Sequence, residues 1–67
     1  MKNRVEFFRK ERKLTQEELA KQLKVSRQTV SSIENERYTP TLLLAFNIAD
    51  LFNKKIEEVF IHEIGKR

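Results

Sequence analysis

The stretch QEELAKQLKVSRQTVSSIEN, from Gln16 to Asn35, decides the fold of this chain. It contains two short segments that suit helices, and the letters LKVS join them. Its apolar and small residues are Leu19, Ala20, Leu23, Val25, Val30 and Ile33. At this spacing two helices can cross closely, because the small Ala20 lies where they touch and Val25 fills the corner of the turn. The stretch therefore predicts two crossed helices joined by a tight turn.

The second segment, Ser26–Glu34, has little apolar surface and a polar outward face. Val30 and Ile33 suffice to seat it on the first helix. Its outward positions hold the side chains of Arg27, Gln28, Ser31 and Ser32. Arg can bond guanine, and Gln can bond adenine, through two parallel hydrogen bonds. The pattern indicates a helix-turn-helix whose second helix enters the DNA major groove. The alternative is an ordinary solvated helix face.

The rest of the chain predicts an all-α domain. Good helix formers are interrupted by short polar turns, and Thr15 with Glu18 three residues later is typical of a capping box. The predicted helices run over residues 4–12, start at residues 15 and 26, follow Thr41 to about residue 52, and cover about residues 56–59. The fourth is apolar nearly all round, which favours burial on more than one side. The end of the chain, VFIHEI, suits a short strand as well as a frayed helix.

Length, charge and composition limit the classes of function that this chain can have. The 67 residues predict a single domain over residues 1–67, with a net charge of +4. Residues 1–39 hold ten Lys and Arg against six Asp and Glu, so the whole excess lies there. This indicates either a polyanion partner or a merely solvated basic face. With no cysteine and one histidine, His62, neither disulfides nor a zinc site are expected, and no cofactor or small-molecule ligand is predicted.

The chain has no apolar run of the ~18 residues that a membrane helix needs, and its N-terminus lacks the apolar segment of a signal peptide. We therefore expect a cytoplasmic protein with no membrane partner. No Ser/His/Asp set, metal cluster or glycine-rich phosphate loop is present in the sequence. An enzyme is therefore not predicted.

The run LTQEELAKQLKVSRQTVSSIENERYTPTLLLAFNIADLF resembles the lambda-repressor-like regulators of the Cro and xenobiotic-response-element type. The resemblance extends over about residues 4–60 and is closest to small bacterial or phage members. It implies a five-helix domain that acts as a homodimer on double-stranded DNA, on an inverted-repeat operator. Some minimal members close the bundle with a two-stranded antiparallel sheet, and MKNRV and VFIHEI are the candidates for it here.

The resemblance also implies roles by position. Its helix-turn-helix covers about residues 16–35, and base contacts fall on Arg27, Gln28 and Ser32, beside Ser31. Phosphate contacts fall on Gln16, Thr29, Asn35, Arg37, Arg9 and Lys24. Arg9 and Glu34 match an ion pair that ties the first helix to the recognition helix.

Two departures from the family pattern stand out. Lys24 replaces a frequent Gly in the turn, where a left-handed Lys costs about 1 kcal/mol. Glu36 replaces a frequent Gly after the recognition helix and brings a negative charge towards the expected DNA backbone. Glu36 either turns away from DNA or helps to reject non-specific DNA.

Several apolar residues are left over once the predicted core is filled. Phe7, Leu43 and Leu51 fall where the family often has polar residues. Together with Ile61 and Ile64 from the tail over residues 56–67, they are predicted to form the dimer interface. The alternative is extra packing inside a small core. His62 is expected at the surface or in an interface.

Two hypotheses of function follow. The first is a sequence-specific DNA-binding transcriptional regulator, most simply a repressor that occupies a promoter, although activation by contact with polymerase is also compatible. The second is a protein-interaction module of the same fold, such as an antitoxin or an adaptor, that does not bind DNA. Only the first predicts DNA affinity that falls steeply with salt.

Overall fold

A computed structural model describes residues 1–62, and this range contains five α-helices. They are α1 (Val5–Glu11), α2 (Gln16–Leu23), α3 (Arg27–Glu34), α4 (Leu42–Leu51) and α5 (Ile56–Val59). The prediction of a five-helix, all-α architecture is confirmed. Where a predicted helix end differs from the observed one, it falls on the adjoining cap residue.

Three helices begin at a capping hydroxyl. The side chains of Thr15, Ser26 and Thr41 each accept a hydrogen bond from the backbone N–H three residues further on, at 3.0, 3.0 and 3.2 Å. At α2 the Glu18 carboxylate also accepts from the Thr15 N–H at 2.8 Å, which completes the capping box. Each such cap contributes about 1 kcal/mol, so local sequence alone goes far to set where these helices begin.

Four helices are followed by a left-handed residue that is not glycine. These residues are Lys13, Lys24, Glu36 and Asn53, with φ between 56° and 62°. A side chain with a Cβ pays a steric cost in this conformation that glycine does not. The conformation expected for Lys24 is therefore present, with φ 60° and ψ 41°, and Glu36 adopts it as well.

We predict that Lys24→Gly stabilises the protein. Removing the strained Cβ should add about 1 kcal/mol to the free energy of unfolding and raise Tm by about 4–8 °C. Thermal unfolding followed by circular dichroism measures the change. Lys21→Gly is the matched control, because it removes the same charge from the interior of α2 and should destabilise by about 1 kcal/mol. Equal changes in Tm for the two variants would show that the backbone at residue 24 is not strained.

The core lies between all five helices. Its buried apolar side chains are Val5, Phe8, Leu19, Ala20, Val30, Ile33, Ala45, Ile48, Ala49, Phe52, Val59 and Phe60. The two residues expected to seat the recognition helix, Val30 and Ile33, are each 1% exposed. They hold α3 from one side only, so its opposite side is left to solvent.

The chain ends meet, but the predicted sheet is not confirmed. Across residues 1–62 there is no strand, and the ends share one antiparallel bridge between Asn3 and Phe60. Backbone hydrogen bonds from Arg4 N–H to Val59 O (2.7 Å) and from Ile61 N–H to Lys2 O (2.9 Å) flank it. Within residues 1–62, four residues precede α1 and three follow α5, and they form this bridge without a strand. Ile64 lies outside the described residues.

Candidate nucleic-acid interface

The turn between α2 and α3 sets the direction of α3 relative to α2. The Val25 N–H donates to Ala20 O at 3.0 Å, and the left-handed Lys24 reverses the chain just before it. Leu19 and Ala20 of α2 are buried against the same core as Val30 and Ile33 of α3. The structure therefore contains the helix-turn-helix geometry, with α3 as its second helix.

The outward face of α3 holds side chains without intramolecular partners. Among residues 1–62, Arg27, Gln28 and Ser32 make no side-chain hydrogen bond or ion pair. Arg27 and Gln28 are exposed, and Ser32 is half-buried. Neighbouring side chains differ: Ser31 Oγ accepts from Asn35 Nδ2 at 3.4 Å, and Thr29 Oγ1 lies 2.8 Å from Ser26 Oγ. The groups best suited to base edges are thus the ones left available.

A buried ionic network holds α3 to the first two helices. Arg9 Nε donates to Glu34 Oε2 at 2.7 Å, and Arg9 Nη2 to Glu34 Oε1 at 3.2 Å. The two side chains are only 10% and 3% exposed. Arg9 Nη1 also donates to Leu14 O at 2.7 Å. This burial favours a structural role for Arg9 over the phosphate contact also predicted for it.

Gln16 joins the same network from the first turn of α2. Its Nε2 donates to Glu34 Oε1 at 3.0 Å, and the residue is half-buried. An amide nitrogen has two N–H groups, so one remains for another acceptor. The bond to Glu34 fixes the direction of that second N–H.

The backbone after α3 folds tightly around Glu36. The Glu36 N–H donates to Ile33 O at 3.0 Å, and the Arg37 N–H to Ser32 O at 2.9 Å. Asn35, Glu36 and Arg37 are exposed, as is Lys24 in the preceding turn. These residues flank α3 in the chain, and the negative Glu36 stands between two candidate phosphate contacts.

The sequence prediction missed Tyr38. This residue is 43% exposed and lines an open cleft of about 320 Å³ beside α3. The other lining residues are Ser26, Gln28, Thr29 and Ser32. The available signal was a lone aromatic residue in the polar loop ENERYTP, directly after the recognition helix.

A second surface is apolar and lies on α4. Leu42, Leu43 and Phe46 are 67%, 72% and 46% exposed. Beside them is a groove of about 380 Å³, lined by Met1, Thr39, Pro40, Leu42, Ala45, Ile56, Glu57, Phe60 and His62. The sequence prediction included Leu43 and missed Leu42 and Phe46.

The other residues predicted for the dimer interface are dispersed. Leu51 is half-buried and packs on the core, and Ile61 is half-buried. Phe7 is exposed on α1, with its ring 5.3 Å from that of Phe8. Beside Phe7, Lys10 Nζ lies 2.8 Å from Glu6 Oε2, and this hydrogen bond lowers the pKa of the Glu6 carboxyl.

Other site types find no support in the part of the chain that the structure describes. No group of three or more His, Asp or Glu side chains in residues 1–62 could hold a metal ion. No helix within that range is long and apolar enough to cross a membrane.

Comparison with known proteins assigns the sequence to a family. The Helix-turn-helix family model matches residues 5–59. An uncharacterized HTH-type transcriptional regulator of Methanocaldococcus jannaschii is 54% identical over 63 residues, covering 94% of this chain and 96% of that protein. A Bacillus subtilis regulator, YgzD, is 45% identical over 60 residues, covering 90% of this chain and 91% of its own length.

A phage protein is also similar to part of the chain. The immunity repressor protein of Bacillus phage phi105 is 49% identical over 39 residues, covering 58% of this chain and 27% of the repressor. The first two relatives are named as uncharacterized HTH-type transcriptional regulators, and the phage protein as an immunity repressor. Since the family model spans most of the sequence and relatives of similar length share about half of its residues, this chain belongs to the lambda-repressor-like helix-turn-helix family of DNA-binding transcriptional regulators.

Proposed function

We propose that this protein binds double-stranded DNA sequence-specifically as a homodimer and represses transcription by occupying a promoter. One observation carries the proposal. The outward side chains Arg27, Gln28 and Ser32 of α3 have no partner within residues 1–62, while the inner face of α3 is buried against the core. A helix held in this way projects from the domain and can enter the major groove.

In the proposed complex, base edges and backbone are contacted by different residues. Arg27 and Gln28 lie near the N-terminus of α3, the part that penetrates deepest, with Ser31 and Ser32 one turn further on. Phosphates are bound by Gln16, Thr29, Asn35, Arg37 and Lys24, which lie on or around that helix. The buried Arg9–Glu34 pair sets the position of α3 relative to Gln16.

Homodimerisation is proposed through the exposed apolar face of α4. Leu42, Leu43 and Phe46 are costly to leave in water, and the adjoining groove at Phe60 extends the apolar surface. Ile61 is half-buried and lies in the chain between two residues that line the groove, and Ile64 lies outside the described residues. A two-fold dimer would present two recognition helices about 34 Å apart, one turn of DNA, to an inverted repeat.

Repression is the simplest outcome because promoter occupancy needs only the DNA-binding and dimerisation surfaces. The 39-residue similarity to a phage immunity repressor supports repression rather than activation. The alternative of a protein-interaction module is less well supported, since it gives no reason for the unpartnered Arg27 and Gln28.

In vitro selection from random duplex DNA tests this function. We expect a palindrome with half-sites about 10 base pairs apart. Binding to it should weaken with salt, with a log–log slope of about −0.9 for each phosphate contacted. A salt-independent interaction, or no enrichment of any sequence, would favour the protein-interaction module.

We predict that Leu43→Glu weakens dimerisation at least about tenfold, because a carboxylate would then have to be desolvated in the interface. Sedimentation equilibrium without DNA measures the dimer dissociation constant. Gln22→Glu, which adds the same charge on α2, is the control and should leave it unchanged. If the Leu43→Glu variant sedimented like the wild type, Leu43 would not be part of the dimer interface. Phe7→Glu tests in the same way whether α1 takes part.

A further inference from the structure

We propose that Tyr38 is a specificity-determining residue that contacts the 5-methyl group of a thymine, beside the base bound by Gln28. This inference rests on the docking proposed above and adds to it a residue outside the recognition helix. The site is the cleft of about 320 Å³ between α3 and the loop that follows it.

Tyr38 is the lining residue of this cleft that comes from the loop after α3. Two of the remaining lining residues, Gln28 and Ser32, belong to the proposed base-contacting face. A group that enters the cleft therefore meets the tyrosine and the base-reading helix together. The Tyr38 side chain is 43% exposed and has no hydrogen-bond, ring or ionic partner among residues 1–62. It is available to a ligand without breaking any described contact.

The lining of the cleft carries no positive charge. None of the five lining residues is basic, so a phosphate would meet no cationic side chain there, and the hydroxyl and amide groups of the lining can bond a base edge as well as a phosphate. The Ser26 and Thr29 hydroxyls are hydrogen-bonded to each other, and Ser26 Oγ also accepts from the Thr29 N–H at 3.0 Å. The side-chain polar groups of Gln28, Ser32 and Tyr38 make no hydrogen bond among residues 1–62, so their donors are available to a group in the cleft.

Thymine matches this combination of groups. In the major groove it presents the O4 acceptor and the C5-methyl group side by side. The Ser32 hydroxyl can donate to O4, while the tyrosine ring covers the methyl. Cytosine has no methyl, and because a serine hydroxyl can donate to O4 or accept from N4–H₂, discrimination between the two pyrimidines rests on the methyl group. Burial of one methyl predicts a three- to fivefold gain in affinity, since each buried CH₂-sized group contributes about 0.8 kcal/mol.

The test uses the operator recovered by selection, with each thymine replaced in turn by deoxyuridine, which deletes only the methyl. Dissociation constants are measured for the wild type, Tyr38→Phe and Tyr38→Ala. We expect one thymine position at which uracil weakens wild-type binding three- to fivefold. Tyr38→Phe should retain this sensitivity because it keeps the ring. Tyr38→Ala should bind the thymine operator as weakly as the wild type binds the uracil operator, and should not distinguish the two.

Three results would overturn the proposal. The first is a uracil effect of equal size in the wild type and Tyr38→Ala. The second is a loss of affinity in Tyr38→Phe that is independent of the thymine methyls, which would identify a phosphate contact through the phenol hydroxyl. The third is the absence of any methyl-sensitive thymine beside the base pair that responds to Gln28→Ala. In each case Gln28→Ala still weakens operator binding, whereas failure of the proposed function would leave that variant like the wild type.

Discussion

Replacing Glu34 with alanine is expected to lower the free energy of unfolding by about 3–5 kcal/mol. The substitution removes the acceptor of two Arg9 hydrogen bonds, at 2.7 and 3.2 Å, and of the Gln16 hydrogen bond. Arg9 is 8% exposed in the wild type, and of its hydrogen bonds within residues 1–62 the one to Leu14 O would remain. A buried guanidinium without its counter-charge is among the costlier defects that a domain can carry.

The effect is large in relation to the stability of so small a protein. At 0.05–0.15 kcal/mol per residue, a chain of this length has a total stability of about 3–10 kcal/mol. At the lower end of this range, loss of the Glu34 carboxylate leaves a measurable unfolded population in water at 25 °C, and at the upper end it lowers the urea midpoint. Urea denaturation, followed by circular dichroism, gives the change in midpoint.

Two control variants separate charge from packing. Glu17→Ala removes an exposed carboxylate from α2 and should change stability by less than about 0.5 kcal/mol. The double variant Arg9→Met/Glu34→Leu removes both charges and keeps most of the buried volume, so it should recover much of the loss. A Glu34→Ala midpoint equal to that of Glu17→Ala would contradict a structural role for the pair.

Local signals in the sequence were sufficient for the helices and for the helix-turn-helix. The hydroxyls at residues 15, 26 and 41 cap helices regardless of what packs on them. Because α3 has a single narrow apolar stripe, only one of its faces can pack on the core. The sequence pattern therefore predicts which of its side chains face outwards. By contrast, α4 is apolar nearly all round, and its periodicity could not show that Leu42 and Phe46 would be exposed.

The features that the sequence did not reveal depend on the path of the chain between helices. The predicted sheet joined MKNRV to VFIHEI, but the parts of these segments within residues 1–62 form one bridge and no strand. Tyr38 borders the recognition helix only because Glu36 is left-handed and the loop turns back there. Such placements follow from tertiary geometry rather than from local propensity.

The DNA-binding geometry makes a second strong prediction, about two glutamines on adjacent helices. Gln28→Ala should cost about 1–3 kcal/mol, or about 5- to 150-fold in affinity, when the preferred base pair is present. The cost should vanish on operators that already carry another base pair at that position, because the truncated side chain then has no adenine to bind. Fluorescence anisotropy on a set of single-base-pair operator variants measures this pattern.

Gln16→Ala is the matched comparison, because it truncates the same side chain at the start of α2. Its remaining amide N–H is proposed to bind a phosphate, which carries no sequence information. Affinity should therefore fall by the same factor for every operator variant. Thermal unfolding is measured in parallel, since this variant also loses the 3.0 Å bond to Glu34. If Gln28→Ala weakened all operators equally, Gln28 would be a backbone contact, and if neither variant changed binding, α3 would not enter the groove as proposed.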